Sequence, residues 1–539
     1  MKRLIAIILT LCLLLSGCAS DVLYGLLKSD YMQSLFPESA TEPPSAFVDF
    51  VYVHPDMQQH DAVLAEAIDL AATETDVDAL MDAVYAYYDE YDLVETAYSL
   101  SYIYYCQDPE VTYWDEEYTY CADVISDIEK GLEDLYCALA KSPIRDVLET
   151  DLYFGADFFD PYEDGGIWDE TLLAFTDEDN RLQEEFYELS DAAADDADND
   201  DYYELYSVPL TEILIQQVKL RKEMAAYLEY ADAAQMAYEW YHYRDYSPDQ
   251  VESYLEEIAE TLAPLYYSVL SRYDWSASSR YCSSTQVYSY LESMVRAIGG
   301  EMEVAFDYMS ENGLYDIERS NSKLEISYTT YLPSYYSPYI FICPEATARD
   351  QLTFVHEFGH FTNNYLCRPS YAGTDIAEIH SQAAEYLSVF YSDDGYKLEQ
   401  DILVNCLMVY VEQSLFSLFE HRLYQLSDEQ LTVENVMELF GDTCEQFGLG
   451  GIDKDLFTLV PHFYVEPMYM ISYVVSNDLA FQIYQLEQET TGAGLDIYLD
   501  ILYSEESYLL YFAEEYGLKS PFEAGHLDAV KATLEEALG

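Results

Sequence analysis

Basic side chains are what this chain has least of: 23 Lys and Arg stand against 103 Asp and Glu, a formal net charge of −80. Such a surface repels phosphate backbones and anionic lipid headgroups, which makes nucleic acid a poor partner. Histidine is scarce too, nine in 539 residues, so a cluster of histidines carries information. The ten cysteines are widely spaced and form no CxxC pair, which argues against thiolate metal binding. No period of about 20 to 50 residues repeats, which excludes solenoids and propellers. Beyond the N-terminus no segment reads as long and apolar enough to span a bilayer, so the remainder is expected to be soluble. Disorder is excluded by what is present: half the residues are hydrophobic, and 57 tyrosines supply large amphipathic rings for packing.

The chain opens MKRLIAIILTLCLLLSGCAS, with Lys2 and Arg3 before an apolar run from Leu4 to Leu15. That pattern reads as an export signal, too short for an ordinary membrane-spanning helix. Leu15-Ser16-Gly17-Cys18 resembles the bacterial lipobox. The resemblance implies a signal peptide over 1–17, lipidation of Cys18, and an exported protein lipid-anchored to the outer face of the cell membrane, or to the periplasmic side in a two-membrane cell. Setting Cys12 and Cys18 aside leaves eight cysteines, an even number for which the sequence supplies no pairing.

Residues 18–48, with Pro43 and Pro44, suit a tether. A helical N-terminal region is read over 49–204. Its 60–145 part repeats apolar residues every three or four positions, while 150–205 mixes Gly and Asp turns with the acidic run DAAADDADNDDYYE. That run lacks the spacing of a calcium loop and reads as a solvated loop or helix end. Long helical patterns resume from 205, one opened by Ser247-Pro248 as cap and first turn. KLEISYTTYLPSYYSPYIFIC, 323–343, predicts a hairpin.

The chemistry concentrates in FVHEFGHFTN, 354–363. His356 and His360 are four apart, so a helix over about 349–365 puts both imidazoles on one face, where they can bind one metal. Glu357 then stands beside the metal, placed as the base for an attacking water. A third ligand must come from elsewhere, and GTDIAEIHSQAAEYLSVFY, 373–391, offers Asp375, Glu378, His380 and Glu385 on a second helix capped by Thr374 or Asp375. Glu378 and Glu385 share a face but lie about 10 Å apart along the axis, and His380 lies roughly 200° round from Glu378, so one metal cannot take both. Helix geometry alone puts Glu378 only modestly ahead of Glu385.

HEFGH, followed after 17 residues by EIHSQAAEYL, resembles the oligoendopeptidase F branch of the thimet-oligopeptidase-like zinc metallopeptidases. The resemblance implies one zinc ion on His356, His360 and Glu378, Glu357 as base, and Glu385 as a residue orienting a ligand imidazole. It also implies that PHFYVEPMYMISYVVSNDLAF, 461–481, supplies oxyanion donors, with His462, Tyr469 and Tyr473 as candidates and Pro467 in the first turn of their helix. SPYIFIC resembles the family's edge strand, which pairs with an extended peptide. The likeness covers roughly 205–539, taken as the catalytic region, and weakens towards the N-terminus. Two departures stand out: Asn363 replaces a further histidine common among relatives, and Ser476-Asn477-Asp478 replaces a glycine, a change expected to affect the pocket.

The expected architecture is a mainly α, gluzincin-like zinc metallopeptidase fold with a small β element and a deep substrate channel between two helical subdomains. The expected function is extracytoplasmic, zinc-dependent hydrolysis of short unfolded peptides, with the membrane touched only through the lipid anchor. Two rivals differ in outcome. A catalytically silent peptide- or solute-binding lipoprotein would bind without cleaving, and a zinc carboxypeptidase would stop when the substrate C-terminus is blocked.

Overall fold

The computed structural model describes residue 47 and residues 50–539, apart from 151, 164, 167, 196–201, 275–278, 321, 368–372 and 505. The signal peptide, Cys18 and nearly all of the tether lie outside the described residues. The described chain is mainly helical with a three-stranded sheet, and it forms two compact units. One takes the described residues up to Leu173 together with Val304–Cys343; the other takes Ala174–Glu303 and Pro344–Gly539. This division by contacts differs from the 204/205 boundary read along the sequence, because the hairpin region groups with the N-terminal helices.

In the first unit, helices α1 (Met57–Thr73), α2 (Val77–Gln107) and α3 (Thr112–Ala140) pack on one another. Asp56 and Asp76 accept backbone N–H bonds at the starts of α1 and α2, satisfying donors that a helix end leaves open. α2 buries Leu80, Val84, Tyr87, Tyr91 and Val94, the three-and-four spacing of one helix face. Against α2 lies the sheet, formed by β1 (Tyr315–Asp316), β2 (Ser327–Leu332) and β3 (Ser337–Ile342) in the order β1-β3-β2. β2 and β3 form the expected hairpin, antiparallel from Ser327↔Ile342 to Leu332↔Ser337, with Tyr336 left-handed at φ 49° in the turn. The expectation that SPYIFIC is an edge strand is corrected. β1 pairs in parallel with Ile340 and Phe341, so β3 is the middle strand, and every residue of it is buried.

In 150–205 the sequence suggested turns and an acidic run forming a solvated loop or helix end, and the acidic run does begin as the end of a helix. A 26-residue helix runs over Glu170–Asp195, burying Leu172, Leu182, Phe186 and Ala193 on one face, while Asp177, Glu184, Glu185 and Glu188 are exposed and Asp179 pairs with the buried Arg221. Its charged face had masked a sparse apolar stripe.

The second unit is built from α4 (Val208–Tyr227), α5 (Pro248–Thr261), α6 (Ser284–Ile298), α7 (Arg349–Cys367), α8 (Thr374–Tyr391), α9 (Glu399–Met408), α10 (Ser414–Gln425), α11 (Met470–Glu489) and α12 (Ala493–Ile501). Ser247 caps α5 in a reciprocal bond with Gln250, and Pro248 occupies the first turn, as the sequence predicts. α8 packs against both α7 and α11 and forms the centre of the unit. Twelve of the 19 residues of α7 and 13 of the 18 of α8 are buried, so polar residues among them must find partners inside the protein. α9 and α10 join through a π-helical turn over Val409–Gln413 into one run, Glu399–Gln425. By length and composition that run could cross a bilayer, contrary to the sequence reading, but 94% of its apolar window is buried within the fold. Among the described residues all eight cysteines are free thiols.

Candidate active site

α7 brings His356, Glu357 and His360 to the centre of the unit, and α8 brings Glu378 and Glu385 against them. One ligand atom each from His356, His360 and Glu378 lies within 4.8 Å of the others, the one such cluster among the described residues. His356 Nε2 is 3.6 Å from Glu378 Oε2, while its Nδ1 sits 2.7 Å from Glu385 Oε1. The two ring nitrogens therefore have separate tasks. A Nδ1–H donated to Glu385 fixes the imidazole plane and aims Nε2 at Glu378, so Nε2 is the nitrogen that takes a cation there, a proton or a metal ion in its place.

Electrostatics agree with a cation site. Burial opposes a charge on His356, yet the Glu385 hydrogen bond and the charges of Glu385, Glu378 and Glu357 outweigh it and push its pKa up to about 9. Burial, with the charges of His356 and His380, holds His360 well below the usual imidazole range, so its nitrogen is available as a ligand. Two imidazole nitrogens and one carboxylate, with excess negative charge around them, fit zinc in the donor set used by hydrolases. Glu357, 2% exposed, adjoins this set on α7.

α7 and α8 approach closely at Gly359. A Cβ there would stand 2.6 Å from the His380 carbonyl oxygen and 2.7 Å from Ser381 Cα, so the residue between Glu357 and His360 must be glycine for the helices to meet.

The tyrosine segment reaches the same place. Tyr469 O–H points at Glu378 Oε1 across 3.4 Å, and Tyr473 and His462 Nε2 are 3.3 Å apart. The Tyr469 ring centroid is 5.1 Å from that of Tyr473 and 5.3 Å from that of His462. Burial lowers the His462 pKa to about 4, so the ring is neutral near pH 7. Its buried Nδ1 has no hydrogen-bond partner. The expected placement of Pro467 is corrected: α11 begins at Met470 with Tyr469 at its cap, and Pro467 precedes the helix. Met468 between them is left-handed at φ 64°, which sets the helix start later than proline alone suggests.

Other candidates lie elsewhere. His380 Nε2 bonds the Ile501 carbonyl at 3.0 Å, and burial lowers its pKa to about 4. Asn363 Nδ2 donates to the Leu502 carbonyl at 3.1 Å. Ser476, Asn477 and Asp478 point into the packed interior: Gln382 donates to Ser476, Tyr386 to Asn477, and Tyr254 and Tyr410 to Asp478. Asp375 is not the cap of α8. Gly373 holds that position without a side-chain bond, and Asp375 instead accepts from Tyr246 O–H at 2.6 Å and Ser472 O–H at 2.6 Å, with Arg244 3.4 Å away. That network was missed in the sequence because its members are scattered over 244–472, and the one available signal was an arginine within an otherwise acidic, aromatic segment.

Fold and site together define a helical scaffold in which an HExxH helix packs on a glutamate-bearing helix. Solved peptidase structures share the fold. PZ peptidase A with an inhibitor is 19% identical, with a TM-score of 0.76 over 91% of this chain and 99% of that one. A protein provisionally named oligoendopeptidase F from Bacillus anthracis str. Ames is 19% identical, with a TM-score of 0.74 over 92% of this chain and 98% of that one. Another structure of that provisional name is 20% identical, with a TM-score of 0.75 over 92% of this chain and 98% of the other. These likenesses establish the oligoendopeptidase F-type fold. Residues 47–163 match the family described as Peptidase M3 N-terminal domain, a stretch in which the sequence reading found helices but little resemblance. No curated protein matches the chain by sequence.

Proposed function

We infer that the chain is an exported zinc-dependent endopeptidase that hydrolyses short unfolded peptides. The observation that carries this reading is the meeting of His356, His360 and Glu378 within 4.8 Å, beside a buried Glu357. Zinc held there would supply Lewis acidity to the scissile carbonyl and lower the pKa of the attacking water. Glu385 orients His356. Glu357 takes the proton of the attacking water and passes it to the leaving amine. Tyr469, Tyr473 and His462 offer O–H and N–H donors to the oxygen that becomes negative in the tetrahedral intermediate, where a preorganised donor stabilises charge most. The burial of all three donors excludes competing water.

The family match at 47–163 and the shared fold support peptidase chemistry over silent binding. The N-terminal sequence supports export and attachment through a lipidated Cys18. The deciding experiment compares cleavage of an internally quenched peptide by the wild type and Glu357→Gln, with zinc measured in both. The expected result is one zinc per chain in each and a loss of at least ~100-fold in kcat for the variant. Equal activities, or no zinc in either protein, would sink the reading. A block on the peptide C-terminus should leave cleavage intact, which separates an endopeptidase from a carboxypeptidase.

A further inference from the structure

The turn that presents Tyr469 is held on three consecutive polar groups by side chains from elsewhere in the second unit. His242 Nε2 lies 2.8 Å from the Pro467 carbonyl oxygen. The Met468 N–H donates to Glu420 Oε1 at 2.9 Å, and the Met468 carbonyl accepts from Arg244 Nη1 at 2.9 Å. Met468 is the left-handed residue, a backbone state that non-glycine residues rarely adopt and that persists only where the surroundings over-determine it. Here its donor and acceptor, and the acceptor before it, are all engaged.

Arg244 extends the arrangement. Its Nη2 donates to Ser472 Oγ at 2.8 Å and reaches Asp375 Oδ1 at 3.4 Å, and Ser472 O–H donates to the same Asp375 oxygen at 2.6 Å. Asp375 lies three residues before Glu378 on α8. The arginine thus ties the turn before Tyr469 to the helix that carries the third candidate ligand. All of these side chains are buried: His242 is 7% exposed, Arg244 5%, Glu420 1% and Asp375 3%. Buried polar groups satisfied in this way rigidify what they join.

We propose that His242, Arg244 and Glu420 are positioning residues that fix the Pro467–Met468 turn and so aim the Tyr469 hydroxyl at the oxygen developing charge during peptide hydrolysis. None touches the substrate. Their contribution is the preorganisation of a donor, which is expressed in the transition state and not in substrate binding. This inference rests on the peptidase reading above.

The test uses the zinc-loaded protein and the paired variants Glu420→Leu and Glu420→Gln. Leucine removes the acceptor for the Met468 N–H, whereas glutamine keeps a carbonyl oxygen in its place. Expected is a ~10- to 100-fold fall in kcat for Glu420→Leu with KM within ~2-fold of wild type, since small misplacements of a catalytic group act on the transition state. Glu420→Gln should recover most of that loss, and zinc content should be equal in all three proteins. Binding of a phosphinic peptide, a mimic of the tetrahedral state, measured by calorimetry, should weaken in step with kcat/KM. Where Glu420→Leu does not fold, His242→Leu against His242→Gln makes the same comparison at the Pro467 carbonyl. A loss that falls on KM or zinc content, or one that the glutamine variant shares, would overturn the positioning role. A wild type that neither cleaves peptides nor binds the phosphinic peptide would instead overturn the peptidase reading, and the positioning role with it.

Discussion

Glu385 shows how much of a metal site can lie one bond away from the ligands. Its carboxylate meets His356 Nδ1 at 2.7 Å, so it chooses which ring nitrogen is left for the metal and resists rotation of the ring. Removing such a partner commonly weakens metal binding by ~10- to 100-fold. Glu385→Ala should therefore lose zinc to a competing chelator at concentrations ~10- to 100-fold lower than the wild type requires, with the fold retained by circular dichroism. Unchanged competition would remove Glu385 from the site. Residue by residue, the three candidate ligands that meet in the structure were legible because HExxH is local and Glu378 sits in a second short motif. The buried roles of Asp375, Arg244 and Glu420 were not, since their partners lie between 48 and 228 positions away along the chain.

At the scale of elements, the site is the seam between α7 and α8. The chance that both helices carry ligands makes their separation critical, and Gly359 sets it, because a methyl group there would meet the backbone of His380 and Ser381. Gly359→Ala is expected to destabilise the protein by ~1–3 kcal/mol through overpacking. The fall should appear as a lower denaturant midpoint, together with weaker zinc retention as the ligands part. A variant with wild-type midpoint and zinc content would show that the seam can open without cost. Helices such as α2 and α5 were legible because their apolar residues recur at helical spacing, and Ser247-Pro248 marks the start of α5. The helix over Glu170–Asp195 was hidden by its acidic face. β1, two residues long, carries no sequence signature at all, and its pairing moved β3 from the edge to the middle of the sheet.

For the whole molecule, the acidity that dominates the sequence also reaches the interior. Burial raises the pKa of Glu412 to about 7, against the opposing effect of the Tyr266 hydrogen bond. It raises Glu420 to about 8 against the pull of the Met468 N–H and of Arg221 and Arg244. In the unfolded chain both carboxyls titrate near ~4.3. The folded state therefore keeps protons that the unfolded state releases. Stability from these groups is full below that value and is lost as pH rises through about 7 to 8. In the zinc-free protein, raising the pH from 5.5 to 8.5 should accordingly cost the wild type more in melting temperature than it costs Glu420→Gln. An equal change in the two proteins would contradict it.

The long buried run Glu399–Gln425 has one more consequence if the chain is exported as proposed. On the way out it meets the translocation channel before any fold exists to hide it, and by length and composition it qualifies for release sideways into the lipid. Glu412 stands at its midpoint, where a carboxylate opposes insertion by roughly 3 kcal/mol. The same glutamate that accepts from Tyr266 in the finished core would, in an exported chain, keep the segment from leaving the channel sideways. Glu412→Leu in a Cys18→Ala background should leave more of the chain in the alkali-resistant membrane fraction than Cys18→Ala alone.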